Sequence, residues 1–400
     1  MIFVCTALIL LPFPLIAAAF SWRCITKYSS YWKFFLFLFV YTIFVFSYII
    51  TPSYENDLTR YFQIVDSIRD LSLGAAAETM NDGLPVENLL FWIVAKIGNN
   101  HLLSAVTTSV VYGITAYITL DYAENEGFLE DAWMVLMLQV LQFSFFSIVN
   151  NVRNVFTFSI VVLASYRDLY KKKRDLATIL LYLLPCFMHK TGAIILLLRL
   201  LSMVVRKAMP LVIGLIIFLP SVIVFLYDRR SVITMGGLLG RLLRKIVSSA
   251  YNYLMGNTDY ADTVSGSKGQ ALIRITVMLM MLILGFLCYL YNRHCKSELN
   301  TFCFLLCAVV VATNVFETPA YWRFACAAVM VCPPAVFWAI REGDNLIRMA
   351  LTGYYGLAVC RFLLDILYTR SRINFVDYIR SSFTNNVYTI VWDTIRCMLR

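Results

Sequence analysis

Charge is scarce in this chain. Asp, Glu, Lys and Arg together supply 14% of its 400 residues, against about 25% in an ordinary soluble domain. With 60% hydrophobic residues and a mean hydropathy of +0.73, it cannot build a sizeable water-exposed domain. Paired cysteines are missing too. None of the 11 cysteines stands in a Cys-x-x-Cys pair. Cys186, Cys288, Cys303, Cys307, Cys326 and Cys332 fall inside apolar runs, where they act as small hydrophobes. Three scattered histidines form no zinc triad, so no metal and no cofactor is expected. There is no glycine-rich phosphate loop, Gly-x-Gly-x-x-Gly, Gly-x-Ser-x-Gly or His-Glu-x-x-His, which argues against nucleotide-driven and common hydrolase chemistry. A basic soluble face is lacking as well. The net charge of +10 therefore points to anionic lipid or phosphate, and away from nucleic acid.

Apolar sequence is what the chain has in quantity. Long runs fall near 1–20, 32–50, 101–120, 132–149, 154–170, 176–189, 191–205, 209–227, 271–291, 299–315, 322–340 and 346–368. They predict an all-α, polytopic transmembrane bundle of about twelve spans. The first run lacks the basic region of a signal peptide and reads as a retained helix. Segment 86–97 is too short to span and reads as re-entrant or interfacial. Residues 1–368 thus form one membrane domain, including segments 51–100 and 228–270. A basic amphipathic tail follows over 369–400.

Lys and Arg in short loops orient such a protein. Arg23, Lys27 and Lys33; Arg167 and Lys171 to Arg174; Arg206 and Lys207; Arg293 and Lys296; and Arg341 and Arg348 all fall on one side, the cytoplasm. The acidic loop 121–131 dissents, but acidic residues weigh little in the rule. The long polar segments 51–88, 228–270 and 369–400 then lie outside. Asn150 to Asn154, His189-Lys190 and Glu317 to Arg323 reach the same side.

Amphipathic helices are expected on that face. In 54–73, Leu58, Tyr61, Phe62, Val65 and Ile68 recur at helical spacing opposite Asp57, Arg60, Gln63, Ser67 and Asp70. In 238–254, an apolar stripe opposes Arg241, Arg244 and Lys245, as in a basic helix on anionic headgroups. The tail repeats the pattern weakly with Phe375, Val376, Ile379, Phe383 and Val387. Asn257 to Gln270 reads as a polar loop.

Arg153 stands where one apolar segment ends and the next begins. Two readings are open: a guanidinium snorkelling to headgroups, or a bidentate phosphate clamp. Asn150, Asn151 and Asn154 beside it supply neutral donors and acceptors, which snorkelling does not require. His189 follows a Pro185-containing run at the outer end of its span. It is either an interfacial hydrogen-bonding residue or a general base active near neutral pH. Asp57 and Glu87 are solvated carboxylates, or groups that orient a sugar hydroxyl or accept its proton. Arg323 belongs to the interfacial aromatic belt or makes a second phosphate or sugar contact, with Tyr321 and Trp322 stacking on a pyranose.

The order Asp57-Leu-Thr-Arg60-Tyr61-Phe, Glu87-Asn88, Asn151-Val-Arg153-Asn154-Val-Phe, Phe187-Met-His189-Lys-Thr-Gly-Ala193 and Tyr-Trp-Arg323 resembles the EpsG family. These are Wzy-type polymerases of exopolysaccharide, capsule and O-antigen in bacterial cytoplasmic membranes. The resemblance implies polymerisation of polyprenyl-diphosphate-linked oligosaccharide units at the outer face, without nucleotide sugars. It implies catalytic roles for His189, Asp57 and Glu87, with His189 the first choice as base. Diphosphate binding falls to Arg153, Arg323 and Arg60, and substrate contacts to Asn150, Asn151, Asn154, Tyr61, Tyr321 and Trp322. Partners would be membrane lipid and the flippase and chain-length regulator of the pathway. Family members typically carry an aromatic or small residue after the arginine and a small polar one after the histidine, where this chain has Asn154 and Lys190. Rival readings are a lipid-linked oligosaccharide flippase and a related ligase or membrane glycosyltransferase. A flippase should show two repeated halves and a charged central cavity, whereas here the polar residues gather at one face and no internal repeat is visible.

Overall fold

The computed structural model describes residues 12–27, 29–52, 57–80, 84–205, 268–315, 321–369 and 375–399. The expected span at 209–227, the basic helix at 238–254, most of the 257–270 loop and Glu317 lie outside the described residues. Those described are helical, with no strand among them. Three helices among them are long and apolar enough to cross a membrane: His101–Glu126, Gly269–His294 and Asn345–Leu367. A bent pair, Tyr321–Val331 with Pro333–Glu342, makes a fourth if taken as one span. Shorter apolar helices cover Pro14–Ile25, Trp32–Tyr48, Leu176–Met188, Thr191–Met203 and Glu298–Asn314. The protein is a multi-pass membrane protein. Three or four of the twelve expected spans meet the length and composition test among the described residues.

The chain divides into two compact units, 1–197 with 365–400, and 198–364. In the first, α1 (Pro14–Lys27), α2 (Trp32–Tyr48) and α6 (His101–Glu126) pack side by side, and α9 (Asn154–Leu169) joins α6 to α10 (Leu176–Met188). Between α2 and α6 the chain makes three short helices, α3 (Asp57–Ser67), α4 (Leu73–Thr79) and α5 (Pro85–Ile97). The expected stripe of α3 is borne out: Leu58, Tyr61 and Val65 are buried, with Ile68 just beyond its end. They meet Phe91, Val94 and Ala95 of α5, Leu103 of α6, and Val149 and Val152 in one apolar cluster. Each Val, Leu or Phe among them contributes about 1.5–3 kcal/mol when withdrawn from water. Helix α4 was not expected; Ser72 starts it by accepting from the Ala75 N–H at 3.4 Å. Pro85 opens α5, and Gly98, at φ 79°, closes it in the left-handed region that a side chain disfavours.

The apolar run 132–149 is not one helix. Phe143 is extended, and α7 (Ala132–Gln142) gives way to α8 (Phe145–Asn150). Ser144 causes the restart: its Oγ accepts from the Ser147 N–H at 3.2 Å and donates to Asp365 Oδ1 at 2.6 Å.

The acidic stretch at 121–131 is likewise not simply a loop, because α6 runs on through Glu126. Asp121 Oδ2 lies 2.7 Å from Lys171 Nζ and accepts from Tyr166 Oη at 2.5 Å. Glu126 accepts from Tyr170 Oη at 2.6 Å. The acidic segment therefore sits with the basic 171–174 loop because the two are partners. Asp121→Ala should cost about 1–3 kcal/mol by stranding Tyr166 and Lys171. An unchanged thermal midpoint in detergent would show that the pairs hold nothing.

The second unit contains α12 (Lys268–His294), α13 (Glu298–Val315), α14 (Tyr321–Val331), α15 (Pro333–Arg341) and most of α16 (Asn345–Thr369). Asn300 Nδ2 donates to Cys288 O at 2.7 Å, and Asn314 Nδ2 to Arg274 O at 2.8 Å, tying α13 to α12 at two levels. The run 322–340 bends by 57° between α14 and α15. Pro333 and Pro334 supply no N–H to continue the first helix.

The tail contains two helices, α17 (Phe375–Thr384) and α18 (Val387–Met398), both counted in the first unit. Helix α11 (Lys190–Val205) follows α10 after His189.

Candidate active site

Helix α8 stops at Asn150 and α9 starts at Asn154, leaving a break that presents Arg153. Asn151 closes the end of α8 by donating from Nδ2 to Ser147 O at 3.1 Å. Val152 is buried in the apolar cluster, which anchors the break from below. Arg153 Nη1 lies 2.6 Å from Glu87 Oε1, and its Nε donates to Tyr61 Oη at 3.1 Å. The guanidinium carbon is also 5.0 Å from the Tyr61 ring centroid, within cation–π range. The Glu87 side chain is 5% exposed and that of Arg153 26%, so the carboxylate is the buried partner. Its place in the first turn of α5 suits it, because the helix dipole favours negative charge there. Burial works against the Arg153 cation, but Tyr61 and Glu87 together outweigh it and raise its pKa above the ordinary arginine value.

Arg60 flanks the same tyrosine. Its guanidinium carbon is 5.6 Å from the Tyr61 ring, and Nη2 pairs with Asp57 Oδ1 at 3.3 Å. That pair is largely exposed on the Arg60 side, where an ion pair is worth little.

His189 terminates α10 in an extended conformation, with its N–H donating to Pro185 O at 2.9 Å. The Thr191 N–H donates to His189 Nδ1 at 3.2 Å, and Thr191 Oγ1 lies 2.7 Å from the same atom. A backbone N–H can only donate, so Nδ1 is an acceptor and the neutral ring carries its proton on Nε2, a tautomer assigned from this partner. Thr191 Oγ1 reaches Asn154 Oδ1 at 3.4 Å, which links the histidine turn to the residue after Arg153. Gly192 permits this approach. A Cβ there would lie 2.7 Å from Pro185 O and 2.8 Å from Thr157 Cγ2. Gly192→Ala should therefore cost about 1–3 kcal/mol through overpacking. Thermal unfolding of the purified variant tests this, and a wild-type midpoint would contradict it.

Asp57, Arg60, Tyr61, Glu87 and Arg153 thus gather at the start of α9, with Asn154 and His189 joined through Thr191. Asn150 ends α8 beside them, and Asn151 is engaged with its own helix. Tyr321, Trp322 and Arg323 form the first turn of α14 in the second unit. All three are half-buried. Arg323 Nε is shielded and makes no hydrogen bond among the described residues. Thr191, Gly192 and Asp365 carry no role in the sequence reading. A Thr-Gly pair directly after a histidine at a helix end is the signal for the first two.

The sequence pattern of the EpsG family matches residues 40–336. The chain belongs to the EpsG family. Neither the curated proteins nor the solved structures contain a match to it. Membership places this EpsG-family protein in polysaccharide biosynthesis. The matched stretch holds the site residues from Asp57 to Arg323, while Asp365, α17 and α18 lie beyond it.

Proposed function

We propose that this protein polymerises polyprenyl-diphosphate-linked oligosaccharide units into a surface polysaccharide by glycosyl transfer. The reaction is placed at the outer face of a bacterial cytoplasmic membrane, in a bundle of about twelve spans. The observation that carries this reading is the Arg153–Glu87 pair, 2.6 Å apart at a helix break beside Tyr61. It supplies a fixed cation and a buried carboxylate side by side, the two kinds of group that a lipid diphosphate and a sugar hydroxyl would need.

In the reaction, the bond from the anomeric carbon to the diphosphate oxygen breaks and the diphosphate keeps the electron pair. The acceptor hydroxyl oxygen bonds to that carbon, and its proton leaves to a base. Arg153 turns from Glu87 to the developing diphosphate charge, the type of fixed positive group that stabilises such a transition state. Glu87 is thereby released to take the hydroxyl proton, with Asp57 as the other carboxylate in reach of Arg60. His189, with Nδ1 engaged by Thr191, acts through its Nε2–H as a donor to a phosphate oxygen. Arg60 adds positive charge, and Tyr61, Asn150 and Asn154 contact sugar. Membrane lipid surrounds the site, and a flippase and a chain-length regulator are the partners this role requires.

Reconstitution with the lipid-linked unit decides the matter. Longer glycans should form with the wild type and fail to form at a comparable rate with Arg153→Ala. Equal extension by both would remove the proposed site. Units crossing the bilayer unchanged, with no longer chains, would make the protein a flippase.

A further inference from the structure

The C-terminal helices lie outside the family match and outside the reaction just described, yet they are built into the first unit. Asn386 starts α18 with a capping box, accepting from the Tyr388 and Thr389 N–H groups while its own N–H donates to Thr389 Oγ1. At the beginning of α18, the Val387 backbone bonds to the Tyr41 hydroxyl, midway along α2. Val387 and Ile390 pack with Leu38, Tyr41 and Val45 of α2 and Ala105 of α6. One turn further on, Thr394 Oγ1 accepts from Asn99 Nδ2 at 3.0 Å, and the same amide donates to Tyr48 Oη at 2.8 Å. At the end, Cys397 O lies 3.3 Å from where a Gly98 Cβ would stand.

These contacts fix a direction. From Val387 to Thr394 the chain advances seven residues, and its neighbours on α2 advance seven as well, from Tyr41 to Tyr48. Both helices therefore climb about 10 Å together. Helix α18 runs alongside α2, from its middle to its end, and does not lie across the top of the bundle.

The opposite face of α18 is apolar and uncovered. Tyr388, Val391, Trp392, Ile395 and Met398 recur at helical spacing, and Trp392 is 62% exposed. On a water-facing helix this would be an unexplained apolar stripe. Beside a spanning helix, at that depth, the medium is hydrocarbon. Arg396, exposed in the last turn, stands level with the Gly98 boundary, where a long basic side chain reaches headgroups.

We propose that α18 is embedded in the leaflet on the Arg153 side, beside α2 and α6, with the Tyr388–Met398 stripe in contact with lipid acyl chains. The segment is a half-depth membrane element and not a solvated tail. Its occupant is bilayer lipid, because the stripe lies beside α2, whose Phe37 is also exposed, and carries Trp392 near the level of Tyr48, an aromatic residue of the kind favoured near membrane boundaries.

The test uses the full chain in phosphatidylcholine vesicles. The emission of Trp392 is taken as the difference between the wild type and Trp392→Phe. Lipid brominated on its acyl chains should quench that component at least twofold more than aqueous iodide does. Quenching by iodide in preference to bromolipid would place the stripe in water and overturn the proposal. Insensitivity to both would mean that a protein partner or a second copy covers it, which overturns it equally. Val391→Trp in the otherwise unchanged chain, read as the emission gained over the wild type, repeats the measurement one position along the stripe should Trp392→Phe misfold.

Discussion

Arg153→Ala should lower the rate of the proposed glycan extension by about 10²–10³-fold, the loss typical of deleting one fixed group that stabilises developing negative charge. The effect has two sources that can be separated. One would be chemical, because the leaving diphosphate would lose the cation nearest Glu87. The other is structural: Glu87, with its side chain only 5% exposed, is left as a buried carboxylate without its partner. Breaking a fully buried pair costs roughly 3–5 kcal/mol, and the quarter exposure of Arg153 puts this one toward the lower end. Arg153→Gln with Glu87→Gln removes both charges together and should recover most of the stability without recovering extension. Arg153→Lys keeps the charge but cannot form the fork that holds Tyr61 Oη and Glu87 Oε1 at once. It should therefore fall between the wild type and alanine in rate. Recovery of full extension by the double glutamine variant would refute the clamp.

His189→Ala should slow extension by about 10²-fold, at the lower end of the range for a positioned proton-handling group. His189→Gln is more informative. Glutamine can accept from the Thr191 N–H and still donate an N–H forward, but it cannot take up a proton. If His189 acts as a donor, the glutamine variant should stay within about 10-fold of the wild type. A base must be unprotonated to work, so a histidine base makes the rate fall as pH drops through its pKa. In the donor reading that histidine-dependent limb is absent, and His189→Gln leaves the low-pH side of the profile unchanged. A glutamine variant as slow as alanine, with the low-pH limb abolished, would return the base role to His189.

Local signals made much of this readable in advance. The stripe of α3 follows from spacing alone, and Leu58, Tyr61 and Val65 are buried as it requires. Segment 86–97 is a short helix ended by Gly98, as its length and glycine indicate. Arg153 falls at a junction of helices because Asn150 to Asn154 interrupts two apolar runs. Where expectation failed, the deciding partner was remote. Nothing near Ser144 announces that Asp365 will hold it, so the run at 132–149 reads as continuous. Asp121 looks like a loop residue until Lys171 and Tyr166 arrive to match its charge and extend the helix. Tyr61 and Glu87 can be picked out as polar residues, but hydropathy cannot say that they share one arginine 92 and 66 residues away. His189 was readable as a polar residue at a helix end, and the structure joins it through Thr191 to Asn154. Its tautomer rests on one backbone N–H of the following turn, and that direction is invisible to composition.

The tie between Ser144 and Asp365 also orders events in time. Helix α8, which leads into Arg153, is pinned at its start by a residue 221 positions downstream. The contact between Asn99 and Thr394 spans 295 positions. All of 198–364 must leave the ribosome before the first unit can be closed, whereas domains made of one continuous stretch are completed as they emerge. A chain cut before Asp365 would carry Tyr61, Glu87 and Arg153 intact and still lack the pin that seats them. The site therefore closes only after Asp365 and Thr394 have emerged, long after Arg153 itself has been made.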